Sequence, residues 1–182
     1  MSPKGWHARG YLPHFDSPET VQFVTFGLFD CLPAKLAVPA IPGAKPLLDL
    51  DSHLDDGRGA CWLGDARIAH EVQQAFLHFD GQRYRLLAWC VMPNHVHVVI
   101  EPDPLHGLGA IVQSWKSFTA KKANAILGRT GAFWRKDYFD RFMRNEEHYA
   151  RTVDYVENNP VTAGLCQAPE AWPWSSAATR KA

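Results

Sequence analysis

The sequence lacks several features that mark particular classes of protein. Its four cysteines form no CxxC pair and lie far apart, which favours small buried thiols in a reduced, cytosolic protein. No apolar run approaches the length of a membrane span, and the first 15 residues lack the apolar core of a signal peptide. Neither sign of charge is in excess, because 19 Lys and Arg residues balance 19 Asp and Glu residues. The net charge therefore does not by itself favour nucleic acid as a partner.

The charge that is present is distributed unevenly. Residues 115–151 contain nine Lys and Arg residues but only four Asp and Glu residues, whereas residues 49–56 are acidic. Such a basic segment could follow a phosphate backbone, although a solvated surface explains each single lysine equally well. A length of 182 residues and an apolar content of 46% are sufficient for one domain with its own core.

The central motif is the segment LLAWCVMPNHVHVVIE at residues 86–101. Pro93 and Asn94 interrupt its apolar run and predict a tight turn between two strands. In the second strand, His95 and His97 leave from the same face about 7 Å apart, because side chains alternate. Two imidazoles held side by side form half of a metal site, but two histidines on a partly exposed strand explain the motif HVH equally well. The opposite face is apolar and can pack on a core: Val96, Val98 and Ile100.

Periodicity predicts the remaining elements. Strands are expected at residues 21–30, 83–92 and 95–101, with a fourth strand or bridge near 138–143. Helices are expected at 65–79, 108–127 and 145–159, with Asp65 and Asn145 as N-caps and Pro160 as the stop of the last helix. This order, β-α-β-β-α-β with a further helix, predicts an α+β fold of ferredoxin-like or RRM-like type with an antiparallel sheet. Two helices would cover one face, and the histidine face would remain for a ligand or for the last helix.

These elements predict a single domain at residues 21–165. An N-terminal arm at 1–20 would precede it, and a loop insertion at about 31–63 would interrupt it. A polar tail at 166–182 would follow, held to the domain by Trp172 and Trp174.

Helical spacing also predicts which side chains face inward. In the helix at 108–127, the expected inner residues are Leu108, Ile111, Trp115 and Phe118, and the expected outer residues are Lys116, Lys121 and Lys122. In the last helix, the expected packed residues are Tyr149, Val153 and Val156, while Arg151, Tyr155 and Asn159 share another side. Taken alone, Tyr155 could be an ordinary half-buried tyrosine. The competing phenols, Tyr138 and Tyr149, are expected in the core.

Several segments together resemble one protein family. They are MPNHVHVVIEP, FWRKDYFDRFMR, VDYVENNPVTAGL, WPWSS and, near the N-terminus, GYLPHFDSPETVQFVTFGL. This set is similar to the single-tyrosine HUH transposases, in particular the REP-associated tyrosine transposases, which act on bacterial repetitive extragenic palindromes. HVH alone is a weak signal. HVH followed about sixty residues later by tyrosine and NP on a helix is a strong one.

The resemblance implies a metal-dependent tyrosine nucleophile. It assigns His95 and His97 to a divalent metal, Mg²⁺ or Mn²⁺, and Tyr155 to attack on single-stranded DNA through a 5′-phosphotyrosine. The third ligand, one helical turn after the tyrosine, would be Asn159, where relatives outside this subgroup often have Gln. An amide oxygen is a serviceable ligand for either metal. Asn158 is an alternative ligand, but it points about 100° away on the helix.

The resemblance also implies a substrate, a hairpin DNA with a single-stranded flank. Trp134 or the arm at 1–15 could stack on unpaired bases, and Arg151 could assist Tyr155 or simply pair with Glu147. The full set of candidate DNA contacts is Arg9, Lys116, Lys121, Lys122, Trp134, Arg135, Lys136, Arg141, Arg144 and Arg151.

The expected protein is thus a DNA-nicking enzyme in the bacterial cytoplasm, associated with the nucleoid when bound to DNA. It would have no membrane partner and would act as a monomer or homodimer. Two alternatives remain. One is a transposase-derived protein that binds hairpins without cutting them, and the other is a hydrolase that uses the histidine pair and water.

Overall fold

A computed structural model describes residues 5–8, 13–17, 20–32, 54, 57 and 59–180. Its strands are β1 (Gly5–Ala8), β2 (Pro13–Asp16), β3 (Gln22–Gly27), β4 (Tyr84–Val91), β5 (His95–Pro102) and β6 (Phe139–Phe142). Its α-helices are α1 (Ala66–Leu77), α2 (Leu108–Ile126), α3 (Glu146–Thr162) and α4 (Ser176–Thr179). Most of the predicted insertion lies outside the described residues. A membrane-crossing helix is absent from the described part of the chain, since none combines the required length with sufficient hydropathy.

Four strands form one antiparallel sheet in the order β4-β5-β3-β6. Together with α1 and α2, they follow the chain order β-α-β-β-α-β, so the predicted ferredoxin-like α+β fold is confirmed. The arm contains a feature that the sequence did not predict, because β1 and β2 pair with each other as a separate antiparallel ribbon.

The two faces of the sheet carry separate cores. On one face, the two-helix core packs α1 and α2 against the side chains of Val24, Val98 and Ile100. On the other face, the tyrosine-side core packs Val153 and Val156 of α3 against the sheet. The apolar run of β4 contributes to both cores, as its pattern predicts. Helix α3 therefore covers the face from which the histidines project.

The ends of the helices follow their caps, with one exception. The side chain of Asp65 accepts a hydrogen bond from Arg67 N, and that of Asn145 accepts one from His148 N, so both N-cap predictions are confirmed. The prediction that Pro160 stops the last helix is wrong, because α3 continues to Thr162. Pro160 has no N–H to donate to the helix, but the helix continues past it, and Ala163 N donates to Asn159 O at 2.9 Å.

The inner face of α2 differs from the prediction by one position. Lys116, expected outside, is buried, and Phe118, expected inside, is 47% exposed. The Lys116 ammonium donates to the main-chain oxygens of Lys136 at 3.0 Å and Asp137 at 3.4 Å. A lysine can be buried in this way because its apolar stem packs while its charged end meets carbonyl dipoles. Lys116 therefore fastens the segment before β6 to α2.

The tail closes the outer edge of the sheet. Trp172 Nε1 donates to Val91 O at 3.0 Å, and Val91 N donates to Trp174 O at 2.8 Å. Ser175 forms an antiparallel bridge with Cys90. The two tryptophans thus hold the tail against β4, as predicted, and they cover an edge that would otherwise expose unpaired backbone groups.

The burial of Lys116 predicts a pH-dependent stability. Burial lowers its pKa from the usual 10.5 to about 8. Between these values the unfolded chain binds more protons than the folded chain, so this group's contribution to stability rises with pH. From about pH 7.5 to about pH 10, the unfolding free energy of the wild type should gain about 2 kcal/mol relative to Lys116→Met. Urea denaturation of both proteins at the two pH values measures this, and an unchanged difference would refute it.

Candidate active site

The β4–β5 hairpin presents two buried histidines to the face that α3 covers. His95 and His97 are 1% and 0% exposed, which rules out the alternative of a partly exposed histidine face. Their Nε2 atoms lie 2.9 Å apart, and the rings are nearly perpendicular at a centroid distance of 4.6 Å. The two imidazoles are therefore within hydrogen-bond distance of each other and do not behave as two independent side chains.

The tautomer of His95 follows from the groups around it. Asn94 Nδ2 donates to Leu54 O at 3.0 Å, so the amide oxygen of Asn94 faces the ring and lies 2.7 Å from His95 Nδ1. A carbonyl oxygen can only accept, and therefore His95 Nδ1 carries the ring proton. His95 Nε2 then presents its lone pair towards His97. An outer partner that orients a histidine in this way is typical of metal sites.

His97 has a more adaptable partner. Thr25 lies directly opposite His97 in the β3–β5 register, and its hydroxyl is 2.8 Å from His97 Nδ1. Because a hydroxyl can donate or accept, Thr25 is compatible with either tautomer of His97. Without a cation, His97 Nε2–H can donate to His95 Nε2. When a cation lies between the two Nε2 atoms, the proton of His97 can be on its Nδ1 instead. Thr25 would allow this exchange without movement of the rings.

Both imidazoles are neutral at physiological pH. Burial lowers the pKa of His95 to about 3. Burial, together with the proximity of His95, lowers the pKa of His97 well below its usual value. Neutral imidazole is the form that binds a metal, so protons would not compete with a cation for this pair near neutral pH.

Helix α3 brings Tyr155 against this pair. The Tyr155 ring contacts the His97 ring edge-on at 5.4 Å and the Phe23 ring at 6.1 Å, while Phe23 stacks on His97 at 5.5 Å. The hydroxyl oxygen of Tyr155 is buried. Tyr138 packs in the two-helix core on the opposite face, and Tyr149 packs at the margin of the tyrosine-side core, as expected. One chain thus supplies both the histidines and the phenol beside them.

Asn159 lies one helical turn after Tyr155 and is 1% exposed. Within the described residues, neither its amide oxygen nor its amide nitrogen has a hydrogen-bond partner. A buried amide without partners costs about 1–3 kcal/mol, so native structures rarely keep one without a use. Asn158, the alternative ligand, is exposed and donates to Asp154 O at 2.9 Å. The geometry therefore favours Asn159 over Asn158.

The donor set fits a hard divalent cation. A six-coordinate ion about 2.1 Å from two nitrogens at a right angle would separate those nitrogens by about 3 Å, close to the 2.9 Å found for His95 and His97. No group of three His, Cys, Asp or Glu side chains that could hold a metal occurs among the described residues. A metal on this face would therefore depend on the amide of Asn159 as its third protein ligand.

Two of the predicted DNA contacts are wrong, because their side chains are buried. Trp134 is 7% exposed, meets Phe26 edge-on at 4.9 Å, and donates to Thr119 Oγ1 at 2.9 Å. It fills the two-helix core and cannot stack on a base, just as the amine of Lys116 is already committed to main-chain oxygens. Residue type alone does not show this burial, because Lys116 lies on the packed side of α2 and Trp134 lies in a bridge to Leu28.

The other candidates fall into separate groups. Lys121 and Lys122 are exposed on α2, which covers the sheet face opposite the histidines, and Lys122 pairs with Glu71 at 3.6 Å. Arg151 pairs with Glu147 at 3.4 Å, both largely exposed, so the ion-pair alternative is the one that forms. Arg9 lies outside the described residues. The remaining candidates are at least partly exposed near β6 and α3: Arg135, Lys136, Arg141 and Arg144.

Three arginines lie near the N-terminal end of α3, whose first turn also carries Glu146 and Glu147. Burial, together with Arg141, Arg144 and Arg151, lowers the pKa of His148, and Arg144 N lies 3.3 Å from His148 Nδ1. Three guanidinium groups therefore surround the first turns of the helix that carries Tyr155. Because Arg151 pairs with Glu147, Arg141 and Arg144 are the members of this group that could meet an anionic backbone.

Comparison with known proteins assigns the family. Residues 65–159, which include both histidines, Tyr155 and Asn159, match the model of the family described as "Transposase IS200 like", and this match covers 95 of the 182 residues. The chain belongs to the IS200-like transposase family. The family match and the site thus coincide, since the matched region ends on the proposed third ligand.

Individual relatives agree with this assignment. A REP-associated tyrosine transposase of Escherichia coli is 26% identical over 94 residues, covering 51% of this chain and 54% of the relative. A Haemophilus influenzae protein assigned to the same group is 23% identical over 103 residues, covering 51% and 58%. The chain thus spans little more than half the length of these relatives. In fold, a solved REP-associated tyrosine transposase bound to a REP hairpin matches 90% of this chain and 79% of its own, with a TM-score of 0.57 and 19% identity.

The buried amide predicts a conflict between stability and ligand binding. In the absence of divalent metal, Asn159→Leu should raise the unfolding free energy by about 1 kcal/mol, because it replaces unsatisfied polar atoms with apolar ones of similar size. Mn²⁺ should raise the melting temperature of the wild type but not that of the variant. Asn158→Leu is the matched control and should change little. A variant that is less stable than the wild type without metal would show that the amide has partners.

Proposed function

We propose that this protein cleaves single-stranded DNA beside a hairpin and rejoins it through a 5′-phosphotyrosine on Tyr155. His95, His97 and Asn159 would hold Mg²⁺ or Mn²⁺. The observation that carries the proposal is the contact of Tyr155 with His97 in one chain, one helical turn from a buried amide without partners among the described residues. A protein that only binds hairpins has no use for that amide, which argues against the non-catalytic alternative.

The proposed reaction exchanges one phosphodiester bond for another. The phenol oxygen of Tyr155 forms a bond to phosphorus, and the bond from phosphorus to the 3′-oxygen breaks. The phenol loses a proton and the 3′-oxygen gains one. Because one phosphodiester replaces another, the reverse reaction with a different 3′-OH joins new strands. When bound, the cation would draw charge from the scissile phosphate.

The neutrality of the ligands matters for this chemistry. Two imidazoles and an amide bring no negative charge to the site, so the cation keeps its full charge for the phosphate. Asn94 and Thr25 hold the two rings from behind, which keeps the Nε2 atoms directed at one point. The site would therefore be largely formed before DNA arrives.

We infer that Tyr155 acts in cis. Beyond its packing on the sheet, α3 is tied down through Glu157, whose carboxylate accepts from Ser176 Oγ at 2.6 Å and from Arg180 at 3.2 Å. Arg180 also donates to Leu87 O of β4 at 3.0 Å. The tail thus joins the tyrosine helix to the edge of the sheet of the same chain. These contacts support a monomer as the working unit, although the reaction itself would be compatible with a homodimer.

The proposed substrate is palindromic DNA of the REP type. The support is the structural neighbour, which is described as bound to a REP hairpin, and the arginine cluster at the start of α3. Phosphates following that cluster would lead a strand towards Tyr155. The protein would then work on DNA in the bacterial cytoplasm, associated with the nucleoid while bound.

A doubly labelled hairpin oligonucleotide tests the nucleophile. With Mn²⁺, the wild type should retain the label from the 3′ side of the cut in a covalent complex that resists denaturation, and release the 5′-side label with a 3′-OH. Tyr155→Phe should abolish the complex, whereas Tyr149→Phe, on the same helix, should retain it. A metallohydrolase using water would survive Tyr155→Phe and form no complex, which would refute the proposal.

Mixing two inactive variants tests the assembly. His97→Ala lacks a ligand and Tyr155→Phe lacks the nucleophile, so neither should form the complex alone. If each chain completes its own site, the mixture should stay inactive. Recovery of the complex on mixing would mean that the tyrosine is supplied by a second chain.

A further inference from the structure

A second cluster of aromatic side chains lies at the same end of the sheet as the histidines. Trp62, in a 3₁₀ turn at Trp62–Gly64, stacks on the buried Phe133 at 5.7 Å with an interplanar angle of 18°. Phe29 lies beside it, with ring centroids 5.8 Å apart and a tilt of 31°. The Arg129 guanidinium carbon is 4.2 Å from the centre of the Trp62 ring and 5.8 Å from that of Phe29. These residues form a layered group of flat surfaces.

The outer members of this cluster are accessible. Phe29 is 42% exposed, and Trp62 and Arg129 are each partly exposed. Phe133 and Trp134, by contrast, belong to the two-helix core. The inner rings therefore anchor the cluster, and the outer ones offer a planar surface to solvent. A single exposed phenylalanine is common on protein surfaces. Phe29, however, lies beside an indole and a guanidinium, and together they form an aromatic surface with a positive charge.

Two hydrogen bonds hold Arg129 in position. Its Nη1 donates to Asn124 Oδ1 at 2.9 Å and its Nη2 donates to Ala132 O at 3.1 Å. Both acceptors are neutral, so they orient the guanidinium without cancelling its charge. A fixed guanidinium beside an indole can attract both the face of a base and the phosphate beside it.

The cluster is joined directly to the turn that begins the histidine strand. Leu28 N donates to Asn94 O at 2.8 Å, and Leu63 N donates to Pro93 O at 3.0 Å. Phe29 and Trp62 are therefore each one residue from a backbone bond to this turn, and the side chain of Asn94 in the same turn orients His95. Gly27 pairs with His95 in the sheet, and Phe29 follows it by two residues, which span at most about 7.6 Å between Cα atoms.

We propose that Phe29, Trp62 and Arg129 form a stacking site for unpaired bases of the strand that enters the active site. This inference rests on the proposed action on single-stranded DNA and names where its unpaired bases bind. Stacking uses the face that every base has, so the site would position the strand rather than read its sequence. Its attachment to the turn before His95 would place the scissile phosphate relative to the histidine pair.

Binding measurements with two DNA ligands test the stacking site. One ligand is a hairpin with a single-stranded flank, and the other is the same hairpin without the flank. In EDTA, which prevents cleavage, Phe29→Ala should weaken binding of the flanked hairpin about tenfold or more and leave binding of the blunt hairpin unchanged. Phe29→Trp should retain the affinity, and Phe29→Leu, apolar but not planar, should lose most of it.

Phe118 supplies a matched control. It is also an exposed phenylalanine, at 47%, but it lies on α2, which packs on the sheet face opposite the histidines. Phe118→Ala should bind both ligands as the wild type does. Equal losses of affinity in Phe29→Ala and Phe118→Ala would overturn the stacking site. So would an equal loss of affinity of Phe29→Ala for the flanked and the blunt hairpin.

Failure of the stacking site can be separated from failure of the proposed function. The covalent complex on Tyr155 is a separate readout, and with Mn²⁺ the control variant Phe118→Ala should form it as the wild type does. A wild type that forms no covalent complex would refute the nicking activity, while a flank-specific loss of affinity in Phe29→Ala would still support the stacking site. A normal covalent complex with unchanged affinity in Phe29→Ala would refute the stacking site alone.

Discussion

The site depends above all on the antiparallel pairing of β3 with β5. This register places Thr25 opposite His97 and Gly27 opposite His95, and it brings Phe23 onto the His97 ring. A Cβ atom at residue 27 would lie 2.5 Å from Cys31 Sγ and 3.2 Å from Asn94 O, so a larger residue there would displace the Cys31 thiol. A slip of one residue would turn both histidines into the two-helix core. The valines of β5 on the opposite face oppose such a slip, because they would then leave that core.

The polar groups beneath α3 reduce stability, and the proposed metal site is what would require them. Two neutral imidazoles are buried there, together with the amide of Asn159, which has no hydrogen-bond partner among the described residues. Apolar side chains would pack better in their place. The fold compensates with apolar cores on both faces of the sheet and with the tail, which closes the β4 edge and ties Glu157 in place. Sites that break local packing rules in this way are where function is expected.

The sequence predicted the fold and the position of Tyr155 beside the histidines because their signals are local. Alternation in HVHVVI assigns the histidines to one face, and the helical spacing of Tyr155 and Asn159 places them one turn apart. It could not predict what depends on long-range register. Thr25 was not recognised as a partner of His97, because the pairing of strands 72 residues apart is not written in either strand. Lys116 and Trp134 are wrong as DNA contacts because charge and aromaticity do not determine exposure, and packing buries both side chains. The proposed stacking surface at Phe29 could not be predicted from the sequence, because it joins three separate segments of the chain.

The most direct test of the account is to locate the cation by anomalous scattering in crystals grown with Mn²⁺. A single strong peak is expected beneath α3, bonded to His95 Nε2, His97 Nε2 and the amide oxygen of Asn159, with the Tyr155 hydroxyl beside it. A peak held by the two histidines without Asn159, or no peak on this face of the sheet, would contradict it.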